Sequence, residues 1–289
     1  MRWLVTGARG QLGSDVVSVL RAAGEDVQPL GSAELDVTDA EAVDAAVGRY
    51  APDVLVNTAA YTAVDAAETD KPAAHLVNAV GPARLAVALA RYGGRLVHVS
   101  TDYVFAGDAD VPYPVDAPTA PRSVYGRTKL DGEVAVRELL PDAAYVVRTA
   151  WVYGAAGTNF VKTMVRLAGQ RDTVDVVDDQ RGSPTWSADL ARGLVALGRS
   201  SAAPGVYHCT NSGNTTWFGF TQAIFEEIGA DPGRVHPTDS TAFVRPAPRP
   251  AYSVLSDTEW LAAGLPAMPA WRTALHQAFE QHGPDFRSG

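Results

Sequence analysis

The sequence predicts an α/β protein: a Rossmann-like, doubly wound parallel sheet with a smaller C-terminal substrate-binding lobe. Three observations carry that expectation. Short β-branched runs alternate with helical patterns through the first half, several of those runs are apolar throughout, and a glycine-rich turn, TGARGQLG (6–13), joins the first run to the first helix. Alternating periods are the rhythm of βαβ units. Uninterrupted apolar runs suit strands covered by helices on both faces.

In chain order, RWLVTG is the first strand and QLGSDVVSVLRAAG the first helix, followed by strands at DVQPLG and DVLVNTAA. A helix is expected near residues 71 to 92, then a fourth strand in RLVHVSTDYVF with STDYVF (100–105) at its carboxyl end. VYGRTKLDGE (124–133) has a helical pattern, and AAYVVRTAWVYG (143–154) and RDTVDVV (171–177) read as later strands. Beyond about residue 150 the rhythm becomes irregular, with Pro-rich stretches such as HPTDSTAFVRPAPRPAY (236–252) that suit substrate-facing loops. We therefore expect an NAD(P)-binding domain over 1–150 and a mainly substrate-binding lobe over 151–289, some segments of which return to the sheet. No clean linker separates them.

Composition narrows the classes of function. A chain of 289 residues, 46% hydrophobic and 20% charged, suffices for one large domain or two coupled ones. Its net charge of -9 disfavours nucleic acid and anionic membrane surfaces, which need clustered Lys and Arg. The single cysteine, Cys209, excludes an internal disulfide, and MRWLVTG lacks the basic region and long apolar core of a signal peptide. No apolar run approaches the roughly 18 residues of a membrane span, so a cytoplasmic protein is expected. The six histidines are scattered, and His98 reads as a core strand residue, so zinc is not supported.

The motifs carry chemistry when taken together. Gly7, Gly10 and Gly13 are spaced G-x-x-G-x-x-G between a strand and an amphipathic helix, where they permit a tight turn and close backbone approach to a pyrophosphate. A bare glycine triplet is often only a loop; its place between those elements favours a dinucleotide. DVQPLGS ends the second strand without an acidic residue for a free ribose diol, and Arg9 is a partner for a 2′-phosphate, which tilts the expectation to NADPH with NADH as the alternative. Arg9 also reads as a solvated loop charge. Asp36 and Val37, just past the second strand, suit the adenine amino group and ring, although Asp36 equally suits a turn or helix cap. Ser100 and Thr101 emerge at a strand's carboxyl end, where a hydroxyl can hydrogen-bond a carbonyl oxygen that gains charge during hydride attack. Tyr125 and Lys129, four apart on a helix, share one face.

With these residues the chain resembles the short-chain dehydrogenase/reductase superfamily in its extended, nucleotide-sugar-modifying branch, and within it the dTDP-4-dehydrorhamnose reductase family. TGARGQLG and Tyr-x-x-x-Lys mark the superfamily; VLVNTAAYTAVDAAE, STDYVFAG, RTAWVYG, DDQRGSPTW and RPAYSVLS, spread over most of the chain, carry the narrower resemblance. The resemblance implies NADPH-dependent reduction of the C4 ketone of dTDP-4-dehydro-L-rhamnose, by a monomer or homodimer. It makes Tyr125 the general acid, Lys129 the cation that tunes it and binds the nicotinamide ribose, and Thr101 the group that holds the C4 oxygen. Val64, Tyr103 and Trp151 join Thr101 and Tyr125 in the sugar pocket, although Trp151 reads equally well as core. Gln11 and Leu12 in the glycine loop, with Ala59, Ala60, Tyr61 and Thr62 after the third strand, flank the cofactor. Some members hold magnesium through two glutamates at a dimer contact; here those positions are Asp15 and Ala188, with Asp189 one residue late, so no metal site is expected. Ala106 stands where an aspartate is common. The alternatives are a ketoreductase, epimerase or dehydratase of another nucleotide deoxysugar, or a non-catalytic reductase-like regulatory subunit. The intact Thr101, Tyr125 and Lys129 argue against the last.

Overall fold

In the computed structural model, which describes residues 1–287, the apolar runs of the first half become the strands of one sheet. The elements are β1 (Arg2–Thr6), α1 (Gln11–Ala22), β2 (Asp26–Leu30), α2 (Ala40–Tyr50), β3 (Val54–Asn57), α3 (Val64–Ala67), α4 (Lys71–His75), α5 (Gly81–Tyr92), β4 (Arg95–Thr101), α6 (Val124–Leu139) and β5 (Ala144–Thr149). The second half adds β6 (Val152–Tyr153), α7 (Phe160–Gln170), β7 (Val174–Val177), β8 (Arg181–Gly182), β9 (Thr185–Trp186), α8 (Ser187–Arg199), β10 (Gly205–His208), β11 (Thr215–Thr216), α9 (Trp217–Glu227), β12 (Val235–Thr238), α10 (Thr258–Ala262) and α11 (Trp271–Arg287). Six parallel strands lie in the order β10-β5-β4-β3-β1-β2.

Side chains alternate across a strand, and here both faces are covered. Trp3, Val5, Val54, Val56, Val97, Tyr145 and Val147 meet α1 and α8 on one face. Leu4, Leu55, Leu96, Ala144 and Val146 meet α2, α5 and α6 on the other. That double burial is why these strands read as continuous apolar runs. A further core, holding Tyr153, Met164, Trp186, Phe220, Phe225, Leu275 and Phe279, joins α7, α9 and α11 to the short strands β6, β7, β9 and β12.

Three elements differ from their sequence expectation. STDYVF is not a strand throughout: β4 ends at Thr101, and Asp102–Val104 form a 3-10 turn capped by the Thr101 side chain. The run 143–154 is two strands, broken at Trp151, whose φ of +48° is rare for a bulky residue. β6 then pairs with β9, away from the main sheet. RDTVDVV contributes only β7, which pairs with β12 in its own two-stranded sheet. The helix expected at 71–92 is present with a π-turn, Leu76–Val80, between α4 and α5. Among the described residues this run alone is long and apolar enough to cross a membrane; half of it is buried, with α5 packed against α2 and α6.

Behind the sheet's carboxyl end lies a buried ion pair. Arg148 on β5 donates to Glu133 on α6 through Nη2 at 2.7 Å and Nε at 3.0 and 3.2 Å, and both side chains are under 5% exposed. Ser100 donates to the same carboxylate at 2.5 Å, and the guanidinium lies 4.9 Å over the Phe105 ring. Arg148→Met strands a buried carboxylate and should destabilise the protein by about 3–5 kcal/mol in denaturant unfolding. A loss under about 1 kcal/mol would show the pair to be dispensable.

Candidate active site

The first half of the site is made by backbone. Gly7 follows β1 with φ +66°, and a Cβ there would lie 2.7 Å from the Ala59 nitrogen. A Cβ on Gly13 would lie 2.2 Å from the Gly7 oxygen, so α1 sits directly on the turn. Gly10, the N-cap of α1, has no side chain to satisfy the helix's first amides. Gly10, Gln11, Leu12 and Gly13 line a cleft of about 680 Å³. A turn packed too tightly for a Cβ at Gly7 or Gly13, leading into an uncapped helix start, fits the pyrophosphate of a dinucleotide. The Gln11 side chain is engaged elsewhere: its Nε2 donates to the Val152 oxygen at 3.1 Å and its Oε1 accepts from Asn159 Nδ2 at 2.9 Å, tying the loop to the second half of the chain.

The remaining expected cofactor neighbours divide. Ala60 and Thr62 line the cleft. Ala59 instead backs Gly7, and both backbone polar groups of Tyr61 are held by the Asn78 side chain at 2.8 and 3.1 Å. Val37 is buried against Gly81, and Asp36 accepts from the Thr38 amide and hydroxyl at 2.8 and 2.7 Å, as a turn residue does. Arg9 pairs with Glu34, whose Oε2 accepts from Arg9 Nε at 3.2 Å and from the Gly31 amide at 2.9 Å. An acidic residue therefore does stand beyond β2. Sequence reading missed Glu34 because a turn, not the strand, brings it back to the loop.

The residues expected to carry the chemistry come together at the same cleft. Ser123 caps α6 by accepting from the Gly126 amide at 3.1 Å, and a Cβ on Gly126 would lie 2.2 Å from the Tyr103 oxygen. That contact presses the start of α6 onto the turn after β4. Thr101, Asp102, Tyr103, Tyr125 and Lys129 consequently share the cleft wall with Val64. The Tyr103 and Tyr125 rings meet edge-on with centroids 5.6 Å apart.

The electrostatics depart from the expected tuning. Burial pushes the Tyr125 phenol up to about 12, reinforced by the Asp102 charge and opposed by a Thr101 hydrogen bond. Burial pushes Lys129 down to about 8, opposed by Glu133, and its ammonium donates to the Val99 carbonyl at 2.6 Å. Lys129 is thus seated behind the phenol without lowering it. Burial raises Tyr103 well above its ordinary value.

An aromatic wall closes the other side. Trp151 and Trp217 stack with centroids 3.5 Å apart, and Gly182 leaves room for the Trp151 ring, which its Cβ would meet at 2.4 Å. A second cavity of about 420 Å³ shares Tyr103, Trp151, Phe160 and Trp217 and runs on to Gln180, Phe243, Arg245 and Arg249. Both arginines pair with Asp65, Arg249 at 2.9 Å and Arg245 at 3.6 Å. Sequence reading missed Trp217 and the arginines as individuals; the Pro-rich stretch 236–252 was the only signal for the latter. Among the described residues no three His, Cys, Asp or Glu side chains converge as a metal site. Asp15 accepts from Ser187, and Asp189 is engaged by Arg192 and Asn211.

The family described as RmlD substrate binding domain matches residues 1–283. A probable dTDP-4,6-dihydroxy-2-methyloxan-3-one 4-ketoreductase of Streptomyces antibioticus is 54% identical over 96% of this chain and 95% of its own. A dTDP-4-dehydrorhamnose reductase of Streptomyces griseus is 52% identical over 96% and 93%. The crystal structure of dTDP-4-dehydrorhamnose reductase from Bacillus anthracis in complex with NADP superposes with a TM-score of 0.93 at 38% identity, covering 97% of this chain and 99% of that one.

Two measurements test the site. Gly13→Ala should weaken NADPH binding at least about tenfold, seen by fluorescence titration, because the added methyl displaces the turn. Lys129 loses its proton as pH rises through about 8, so NADPH affinity should fall across that range and stay flat in Lys129→Met.

Proposed function

The chain belongs to the RmlD substrate binding domain family, and from that premise we propose that it reduces the C4 ketone of dTDP-4-dehydro-L-rhamnose to dTDP-L-rhamnose with NADPH. The observation that carries the reading is the convergence of Thr101, Tyr125 and Lys129 on the cleft that the glycine loop lines. NADPH, when bound, supplies the hydride. The loop from Gly7 to Gly13 holds its pyrophosphate through backbone amides, and Lys129 serves the ribose beside the nicotinamide.

Each protein group then has one task. Thr101 and Tyr125 flank the ketone oxygen, and Tyr125 protonates it as the carbon accepts hydride. Trp151 and Trp217 offer an apolar wall to the deoxysugar. Arg245 and Arg249 bind the diphosphate, exchanging their contact with Asp65 for phosphate oxygens, to which a guanidinium binds bidentately. NADPH and a nucleotide-activated sugar together imply a cytoplasmic reaction.

A second reading keeps the chemistry and changes the sugar: another dTDP-4-keto-6-deoxysugar, favoured by the 54% identity to the Streptomyces antibioticus ketoreductase. Incubating the protein with NADPH and a panel of dTDP-4-keto sugars, with product configuration assigned at C4, separates the two. A tightly retained NAD(H) with no net NADPH consumption would mark an epimerase or dehydratase instead.

Tyr125→Phe should cut turnover by roughly 10²-fold or more and leave NADPH affinity nearly intact; near-normal turnover sinks its assignment as the acid. Arg249→Ala should raise KM for the dTDP-sugar about tenfold with little change in kcat, as loss of uniform binding requires.

A further inference from the structure

The roles above leave Asp102 unused, although it stands among the reacting groups. It follows Thr101 in the chain, lines the cleft and is 3% exposed. Its Oδ1 accepts from the Thr101 hydroxyl at 2.9 Å. Its Oδ2 is buried beside the Ser253 hydroxyl, whose hydrogen bond opposes the effect of burial on the carboxyl.

Counting protons on Thr101 sharpens the point. A threonine hydroxyl has one proton and two acceptor positions. Its oxygen accepts from the Tyr103 amide at 3.2 Å, its proton goes to Asp102, and the Tyr125 phenol shares the cleft wall with it and is lowered by it. Thr101 therefore bridges the acid of the reaction and a buried carboxyl group. Each reduction leaves Tyr125 as a phenolate in a site that disfavours one.

We propose that Asp102 is the proton reservoir of the site, reloading Tyr125 through the Thr101 hydroxyl after every turnover. The Thr101 O–H bond breaks toward the phenolate while the Asp102 carboxyl O–H bond breaks toward Thr101. Asp102 then regains a proton from the water-accessible cleft, so one solvent proton is consumed per ketone reduced. Asp102 acts through Thr101 and does not touch the reacting atoms.

The surroundings suit that task. Burial holds the Asp102 carboxyl up to about 6, against hydrogen bonds from Ser253, Thr101 and its own backbone. The titratable groups facing it are Tyr103 on the turn and Tyr125 on α6, both raised by its charge; Arg249 and Asp65 act on Tyr103. Its protonated fraction is lost as pH rises through about 6.

The proposal rests on the ketoreductase reading, and Asp102→Asn tests it apart from that reading. Asparagine keeps an acceptor for Thr101 and removes a buried charge, so the fold survives, but it holds no transferable proton. In stopped-flow NADPH oxidation the variant should complete its first turnover at the wild-type rate, because Tyr125 begins loaded. Later turnovers should run about tenfold slower or more. The fall in steady-state rate with rising pH through about 6 should vanish, with NADPH affinity unchanged. Thr101→Ser, which keeps the hydroxyl, should retain that fall. A wild-type steady state in Asp102→Asn overturns the proposal, and so does a first turnover slowed as much as later ones, the mark of a structural role. Wild-type protein that oxidises NADPH with no dTDP-4-keto sugar overturns the ketoreductase reading, and the relay falls with it.

Discussion

The carboxylate of Glu133 is the point on which the site's geometry depends. It accepts from Ser100 at the end of β4 and from Arg148 on β5, while standing on α6 one turn after Lys129 and two after Tyr125. Side chains at i, i+4 and i+8 share a helix face, so fixing Glu133 also fixes the rotation of α6 about its axis. A buried charge left alone would be unfavourable by several kcal/mol, which makes the pairing with Arg148 obligatory. The same charge opposes the effect of burial on Lys129. One interaction thus sets where the lysine lies and how readily it stays protonated.

Glycine supplies the complementary constraint, close approach. On α6, a Cβ on Gly126 would meet the Tyr103 oxygen and one on Gly132 the Asn78 oxygen, each at 2.2 Å. The helix is therefore pressed at both points onto the elements that frame the cleft. The Asn78 side chain, in the π-turn, carries that support onward by holding Tyr61, and its amide also donates to Thr128 at 3.1 Å. Charge pairing and backbone contact act on the same helix from adjoining faces.

What could be read from the sequence follows from how local each feature is. The glycine loop, Thr101, Tyr125 and Lys129 were legible because strand end, turn and helix face are set within a few residues of each one. Trp151 and the strand through it were half legible. Its residue type favours extended backbone, but the pairing of β6 with β9 and the stack on Trp217 hold it at positive φ. Glu34, Arg245, Arg249 and Trp217 carry no local pattern, since each gains its place from chain segments far away or from a tight turn. Asp36 and Val37 serve a turn and the packing on Gly81 as well as the ligand contact expected of them, so local pattern alone does not separate the two uses. Asp102 was invisible for a related reason: its burial and its contact with Ser253 exist only once β4, α6 and the segment carrying Ser253 are assembled.

The direction of catalysis is written into the same burial. A phenol pushed up to about 12 is fully protonated at neutral pH, which is the state a ketone reduction requires at its start. An alkoxide is a stronger base than this phenolate, so in the proposed role donation from Tyr125 would run downhill once hydride has moved. Oxidation of an alcohol would need the opposite, a phenolate poised to take a proton, and burial without a charge-lowering partner disfavours it. Lys129, drawn down to about 8 and anchored on the Val99 carbonyl, stays cationic near neutrality without forcing the phenol to ionise. The desolvated helix face therefore favours reduction, and leaves the reloading of Tyr125 to whatever proton source the Thr101 hydroxyl can reach.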